Sequence, residues 1–330
     1  MNHDLVRGHV DRLFAGSRDR TTRIGVEHEL FTADSVSGEV AAVERVKKAA
    51  EGSAYSSHLT FEPGGQVELS LPPAASAQEA TRRLLDAVAS LRSDCERDGI
   101  VLIEEAVDER TIAVPLQLGS ARYLAMQERF DTFGQAGRRM MRRTASTQVS
   151  LDWWPGAVGL EQWRLLNLSG PFLAAAFARS TGPGSRLATW LRVDPERTAF
   201  DDRLLSDDDP VAAYTSFALG AAVLVDPEDI PQHLTMLFPP VRPRGTYLEA
   251  RFLDAQPLSG VLDVTTVLST LMYDEIARTR ALALVAGEEG HMEKRWEQAS
   301  LGDEDVIERG HALIALTKEA RSTKVAAACP

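Results

Sequence analysis

The octapeptide Ile24-Gly25-Val26-Glu27-His28-Glu29-Leu30-Phe31 sets two carboxylates one residue apart in an otherwise apolar run. As a β-strand it would put Glu27 and Glu29 on one face, about 7 Å apart, with Ile24, Val26, His28 and Leu30 on the other. Two carboxylates on one face repel each other unless a cation or open water lies between them. The stretch therefore predicts either a solvent-facing edge or one wall of a hard-metal site. Three later stretches repeat the pattern. In LTFEPGGQVELSL, residues 59–71, Glu62 stands just before Pro63-Gly64-Gly65 and Glu68 follows, while Val67, Leu69 and Leu71 alternate with Gln66, Glu68 and Ser70. The break signals a turn or a close backbone approach. A surface hairpin would explain its glycines but not a carboxylate on each side. In the third stretch Arg138, Arg139, Arg142 and Arg143 precede a strand in which Val149, Leu151 and Trp153 alternate with Gln148, Ser150 and Asp152. The fourth is Thr246 to Asp254, with Leu248, Ala250 and Phe252 on one face and Tyr247, Glu249 and Arg251 on the other.

Collected on one surface, Glu27, Glu29, Glu62, Glu68, Gln148 and Glu249, with Arg251 beside them, form a donor set made of oxygen. Such a set selects magnesium or manganese over zinc or copper. No HExxH exists, since position 32 is threonine, and GxSxG, GxGxxG and GxxxxGK[ST] are absent as well. Five carboxylates exceed what one magnesium ion needs. They suit two or three ions bridging the phosphates of a nucleotide and offsetting the charge of a moving phosphoryl group. The arginines are either a solvated basic patch or a grip for a carboxylate or phosphate.

The elements that must carry these residues follow from periodicity and caps. Ser76 to Asp98 is the clearest helix: Ser76 and Glu79 make a capping box, Ala80, Leu84, Val88, Leu91 and Cys95 form the stripe, and Gly99 stops it. Shorter helices are predicted over 2–20, 41–50 and 120–135, the last with Tyr123, Met126, Phe130 and Phe133 inward, and a buried strand over 100–103. Residues 160–180 read as a buried helix interrupted at Gly170-Pro171, residues 185–198 as a loop anchored by Trp190, and Asp207 to Asp209 as a solvated turn. Helices follow over 261–286, 288–298 and 303–321, with a fraying tail after Lys324. His58, His233, His291 and His311 read as surface or packing residues. The pattern predicts a single α+β domain over 1–330: an antiparallel sheet, helices on its outer face, and C-terminal helices from about 261 closing one side.

Composition narrows the partners. A formal net charge of -12 argues against a sequence-independent grip on nucleic acid, which requires a basic surface. Cys95 and Cys329 are too few for a disulfide framework and fit a reducing compartment. The amino terminus lacks a secretory layout, and the longest uncharged run, Val211 to Val225, is too short for a membrane span. A soluble cytoplasmic protein acting on small molecules is expected.

Five blocks in order, GVEHEL, LTFEPGGQVELS, MMRRTASTQVSLD, RLATWLRVDPERT and HLTMLFPPVRPRGTYLEARFLDAQP, resemble the type-2 glutamate-cysteine ligase family. The likeness is strongest to the bacterial branch that makes γ-glutamylcysteine for ergothioneine synthesis, and it runs from about Arg23 to Pro257. The resemblance implies a glutamine-synthetase-like fold, a curved antiparallel sheet whose concave face holds two or three Mg²⁺ (or Mn²⁺) ions. It implies Glu27, Glu29, Glu62, Glu68 and Glu249 as metal ligands with Gln148 near them, and Arg251 on the phosphates of ATP. Arg143, Thr144 and Arg186 would lie in the glutamate pocket, with Trp190 shaping it. The implied reaction joins glutamate to cysteine through a γ-glutamyl phosphate. Three departures are visible: Ser150 stands where the family has asparagine, Leu71 where it has glycine, and the segment from Val225 to His233 is shorter than in the ergothioneine branch. That shortening bears on the acceptor-amine pocket, so a ligase for a different amine remains an alternative. A non-catalytic relative binding a nucleotide or amino acid is another, although it would not need so many carboxylates.

Overall fold

The computed structural model describes residues 1–206 and 208–328, and no side chain beyond Ser322. Asp207, the tail after Lys324 and Cys329 therefore lie outside the described residues or side chains. Seven strands make one antiparallel sheet: β1 Ile24–Asp34, β2 Leu59–Phe61, β3 Val67–Ser70, β4 Ile100–Ile103, β5 Thr147–Asp152, β6 Val241–Pro243 and β7 Tyr247–Ala250. Their order is β2-β3-β1-β5-β7-β6, with β4 pairing the far end of β1. Register then does the gathering. Glu29 lies opposite Glu68, Glu27 opposite Ser70 on one side and Gln148 on the other, and Glu249 opposite both Ser150 and Arg242. A slip of one residue would send each of these carboxylates to the wrong face.

The apolar face carries Ile24, Val26, Leu30, Val67, Leu69, Val149, Leu151, Leu248 and Ala250, all buried. The helices Ala77–Arg97 and Val261–Tyr273 cover it and touch each other. The first buries Ala80, Leu84, Val88, Leu91 and Cys95, as its stripe predicts; each large side chain contributes about 1.5–3 kcal/mol on leaving water. The Oγ of Ser76 accepts the Glu79 amide at 3.2 Å, but the Glu79 carboxylate reaches the amide of Ala75 at 3.4 Å rather than that of Ser76. Among the described residues no helix is long and apolar enough to cross a membrane.

Several expectations are corrected. The helix Ala157–Ala176 runs straight through Gly170-Pro171. From Leu165 to Ala175 every residue is buried, and the helix packs against the helices Glu304–Ala328 and Met292–Leu301, so packing outweighs the lost amide. Residues 185–198 hold two short helices, Arg186–Trp190 and Pro195–Thr198, capped by Ser185 and Asp194. The arginine cluster is itself a helix, Ala136–Arg143. The last strand ends at Ala250, short of Asp254. The span 261–286 is broken at Asp274, whose carboxylate accepts the Ala277 amide and starts a second helix, Glu275–Leu284. His233, by contrast, packs as expected, fully buried with its Nε2 2.8 Å from the Ala218 carbonyl.

The Pro63-Gly64-Gly65 turn both reverses the chain and meets another segment. A Cβ on Gly64 would lie 2.5 Å from Arg142 Cα and 2.6 Å from the Arg142 carbonyl oxygen, and Gly65 has φ +94°. The loop bearing Glu62 is thus pressed onto the end of the arginine helix. Gly64→Ala should cost about 1–3 kcal/mol through backbone overlap, read as a lower urea midpoint; an unchanged midpoint would contradict the contact.

Candidate active site

One cavity of about 470 Å³ opens on the polar face of the sheet, lined by Glu27, Glu29, Glu62, Glu68, Gln148, Glu249 and Arg251 together with Thr144, Arg186 and Trp190. Strands β1, β3 and β7 and the β2–β3 turn supply the acids, and β5 supplies Gln148. Arg143 is not among the lining residues. Its guanidinium turns away to the carbonyls of Asp108 at 3.1 Å, Arg110 at 3.0 Å and Ile112. Three neutral carbonyls hold its Nη atoms and pin the 108–112 loop, so the structure puts Arg143 outside this cavity.

The six expected ligands fall into two groups. Glu29, Glu62 and Glu68 each offer a carboxylate oxygen, all within 4.8 Å of one another. Glu29 is held by the Ser146 amide at 2.8 Å, the Ser146 hydroxyl at 2.7 Å and Gln148 Nε2 at 3.2 Å. Glu68 accepts from the Thr60 hydroxyl at 2.5 Å, and Glu27 from the Ser70 hydroxyl at 3.1 Å. Glu249 lies instead among cations: Arg242 Nε at 2.6 Å, Arg244 Nε at 3.2 Å and Arg251 Nη1 at 3.3 Å. Gln148 joins the groups, its Nε2 on Glu29 and its Oε1 accepting from Arg251 at 2.7 Å.

Electrostatics follow this division. Burial, then the charges of Glu29 and Glu68, pushes Glu62 up to about 8. Burial, then Glu68 and Glu249, pushes Glu27 up to about 7. Glu29 and Glu68 are also raised, with burial the largest cause. Burial pushes Glu249 the same way, but Arg242, Arg251 and Arg244 outweigh it and leave its carboxyl below the usual range. The acids of the first group are thus short of positive charge, and the donor chemistry, all carboxylate oxygen, fits a hard divalent cation. Glu29, Glu62 and Glu68 would hold it, with Glu27 beside them.

A stability consequence has a definite sign. Glu62 and Glu27 titrate near 4.3 when unfolded, and near 8 and 7 when folded. Between those values the folded chain binds more protons, so their contribution is complete below about pH 4.3 and is lost as pH rises toward about 8. The melting temperature of metal-free protein should fall across that window, and millimolar Mg²⁺ should flatten the fall. A profile indifferent to Mg²⁺ would contradict the cation assignment.

Arg186 is buried, donating to the carbonyls of Arg251 at 2.9 Å and Phe252 at 3.4 Å, and its guanidinium carbon lies 4.8 Å over the Trp190 ring. It fixes the backbone of Arg251 while lining the cavity. Arg122, Tyr123, Arg242 and Arg244, none of them an expected site residue, also line the cavity, as do Thr60, Gln66, Ser146 and Thr235. Arg122 donates to the Tyr123 hydroxyl at 2.8 Å. Tyr123 and Met126 read as packing positions on an apolar stripe, yet they wall the cavity with Met140, Met141 and Phe238. Arg242 lies on the edge strand β6, which tolerates Pro243, and Arg244 lies just beyond it, before a Gly245 turn that folds both over Glu249.

The family model described as Glutamate-cysteine ligase family 2 matches residues 23–301. Glutamate–cysteine ligase EgtA of Mycolicibacterium smegmatis is 31% identical over 264 residues, covering 68% of this chain and 62% of that protein. The chloroplastic glutamate–cysteine ligase of Medicago truncatula is 23% identical over 338 residues, covering 84% and 66%. The chain thus spans 62% of the length of the EgtA relatives it matches. Among solved structures, glutamate–cysteine ligase of Francisella tularensis in complex with AMP superposes with a TM-score of 0.53 at 13% identity, covering 93% of this chain and 82% of that one. That likeness is one of fold.

Proposed function

The chain belongs to glutamate-cysteine ligase family 2, and from that premise we propose that it is an ATP-dependent carboxylate–amine ligase joining glutamate to an amine, cysteine first among the candidates. The observation that supports this reading is the pairing, in one cavity, of a carboxylate trio within 4.8 Å with a separate arginine group around Glu249. A site for a nucleotide's metal-bound phosphates needs the first; a site that also neutralises a moving phosphoryl group and orients a substrate carboxylate needs the second.

The reaction has two steps. The γ-carboxylate of glutamate attacks the terminal phosphorus of ATP, ADP leaves, and an acyl phosphate remains. The amine then attacks the acyl carbon, phosphate leaves, and the amide forms. Bound magnesium or manganese supplies charge neutralisation for the phosphates. Arg251, braced by Gln148 and Glu249, meets the negative charge of the transferring group. Arg186, backed by the Trp190 ring, holds a substrate carboxylate at the end of the cavity near Thr144. Tyr123, Met126, Met140, Met141 and Phe238 form an apolar wall that excludes water from the acyl phosphate and faces the acceptor. No side chain acts as a covalent nucleophile; positioning and charge do the chemistry. Ergothioneine synthesis in a cytoplasmic setting belongs to the same proposal.

Incubation of purified protein with Mg-ATP, glutamate and a panel of amines, with products identified by mass, tests the reading. A γ-glutamyl product with cysteine is expected, together with ADP in equal amount. Product with a different amine and none with cysteine would transfer the proposal to another acceptor, and no amide with any amine would refute the ligase.

A further inference from the structure

The arginine helix Ala136–Arg143 is two-faced. Met140 and Met141 line the carboxylate cavity, while Arg138, Arg139, Arg142 and Arg143 line a second one of about 540 Å³ that shares no lining residue with the first. Arg192, just past the helix Arg186–Trp190, lines it too, and among the described residues no aspartate or glutamate does. In a chain of net charge -12, five guanidinium groups around one recess is an unusual concentration.

The partners of these arginines show how much of that charge is balanced. Arg138 pairs with Asp131 at 2.7 Å and Arg139 with Glu109 at 2.7 Å. Arg142, Arg143 and Arg192 form no ion pair within 4.0 Å among the described residues, and only at longer range do Asp131 and Asp108 act on Arg142 and Arg143. Arg142 donates to the Val114 carbonyl at 3.3 Å and the Gln127 amide oxygen, Arg143 to three carbonyls, and Arg192 to the Pro183 carbonyl. A carbonyl satisfies a donor without cancelling a charge. The Nε atoms of Arg139 and Arg142 are buried with no acceptor. Burial first, then the neighbouring Arg138, hold Arg142 below its usual value against the opposing charge of Asp131. Like charges anchored by neutral backbone around one recess make a preorganised receptor for an anion.

We propose that this recess is a second binding site, distinct from the ligase cavity, for a small molecule carrying two or more phosphate or carboxylate groups. Its volume is within the range of small-molecule pockets, about 300–1,000 Å³, and guanidinium forks match either oxyanion. The site does not rest on the ligase reading, since it is defined by binding and not by turnover.

Calorimetric titration of pyrophosphate, and separately citrate, into metal-free protein at low ionic strength tests it. Without a divalent ion the first cavity has unneutralised carboxylates and disfavours anions, so the titration reports the arginine recess. Saturable binding of one anion per chain is expected, at least tenfold weaker in Arg192→Glu and retained in Arg251→Ala. Arg192 is exposed and among the described residues bonds only the Pro183 carbonyl, so its replacement leaves packing untouched; Arg142→Gln is the second variant and should weaken binding likewise. Tighter pyrophosphate would identify phosphate as the ligand group and tighter citrate would identify carboxylate, both in support. No saturable heat with either anion, undiminished affinity in both variants, or loss of binding in Arg251→Ala would overturn it.

Discussion

Glu62→Gln should lower ADP formation by about 10³-fold or more while leaving the metal-free protein as stable as the parent or more so. The two halves of this expectation come from the same carboxylate. It supplies one of the three oxygens gathered within 4.8 Å, and removing one charge from a hard-metal site forfeits several kcal/mol of phosphate stabilisation, with about 1.36 kcal/mol for each tenfold in rate. In the absence of metal the same charge is a burden, since burial and the charges of Glu29 and Glu68 raise it to about 8. No hydrogen bond ties its side chain to the protein among the described residues, so the amide breaks nothing. Steady-state ADP release and thermal melting in chelator read the two effects. An inactive variant that is also markedly less stable would mean that Glu62 is structural.

Arg251→Ala should reduce kcat/KM for ATP by about 10²–10³, the usual cost of deleting one donor to developing charge. The position is more exacting than its exposure suggests. Arg251 bridges Gln148 and Glu249, and its own carbonyl is held by Arg186. Its loss removes a cation from the phosphate end and leaves Glu249 with Arg242 and Arg244 alone. Arg7→Ala, at a surface pair with Asp209, is the control and should change nothing measurable. Equal kinetic effects from the two substitutions would remove Arg251 from the phosphate site.

Much of the site was legible because strand alternation has a fixed period. Once Glu27 and Glu29 share a face with Gln148 and Glu249, only register remains, and β1 pairing with β3 and β5 supplies it. What stayed hidden depends on tertiary contacts that periodicity does not encode. Arg143 adjoins Thr144 in sequence, yet a helix ends between them, so one turns to the 108–112 loop and the other to the cavity. The helix Ala157–Ala176 survives Pro171 because its burial outweighs one missing amide. Arg242 was unreadable without the β6–β7 hairpin that lays it across from Glu249. The three-to-one grouping of arginines around Glu249 likewise separates a carboxylate that alternation alone treats as equivalent to Glu29, Glu62 and Glu68.

Crystals grown with Mn²⁺ and a non-hydrolysable ATP analogue, measured at the manganese absorption edge, address the arrangement most directly. Anomalous peaks about 2.1 Å from oxygens of Glu29, Glu62 and Glu68, with analogue phosphate oxygens completing the shell and Arg251 against them, are the expected result. Manganese bound elsewhere, or analogue phosphates seated away from these three side chains, would contradict it.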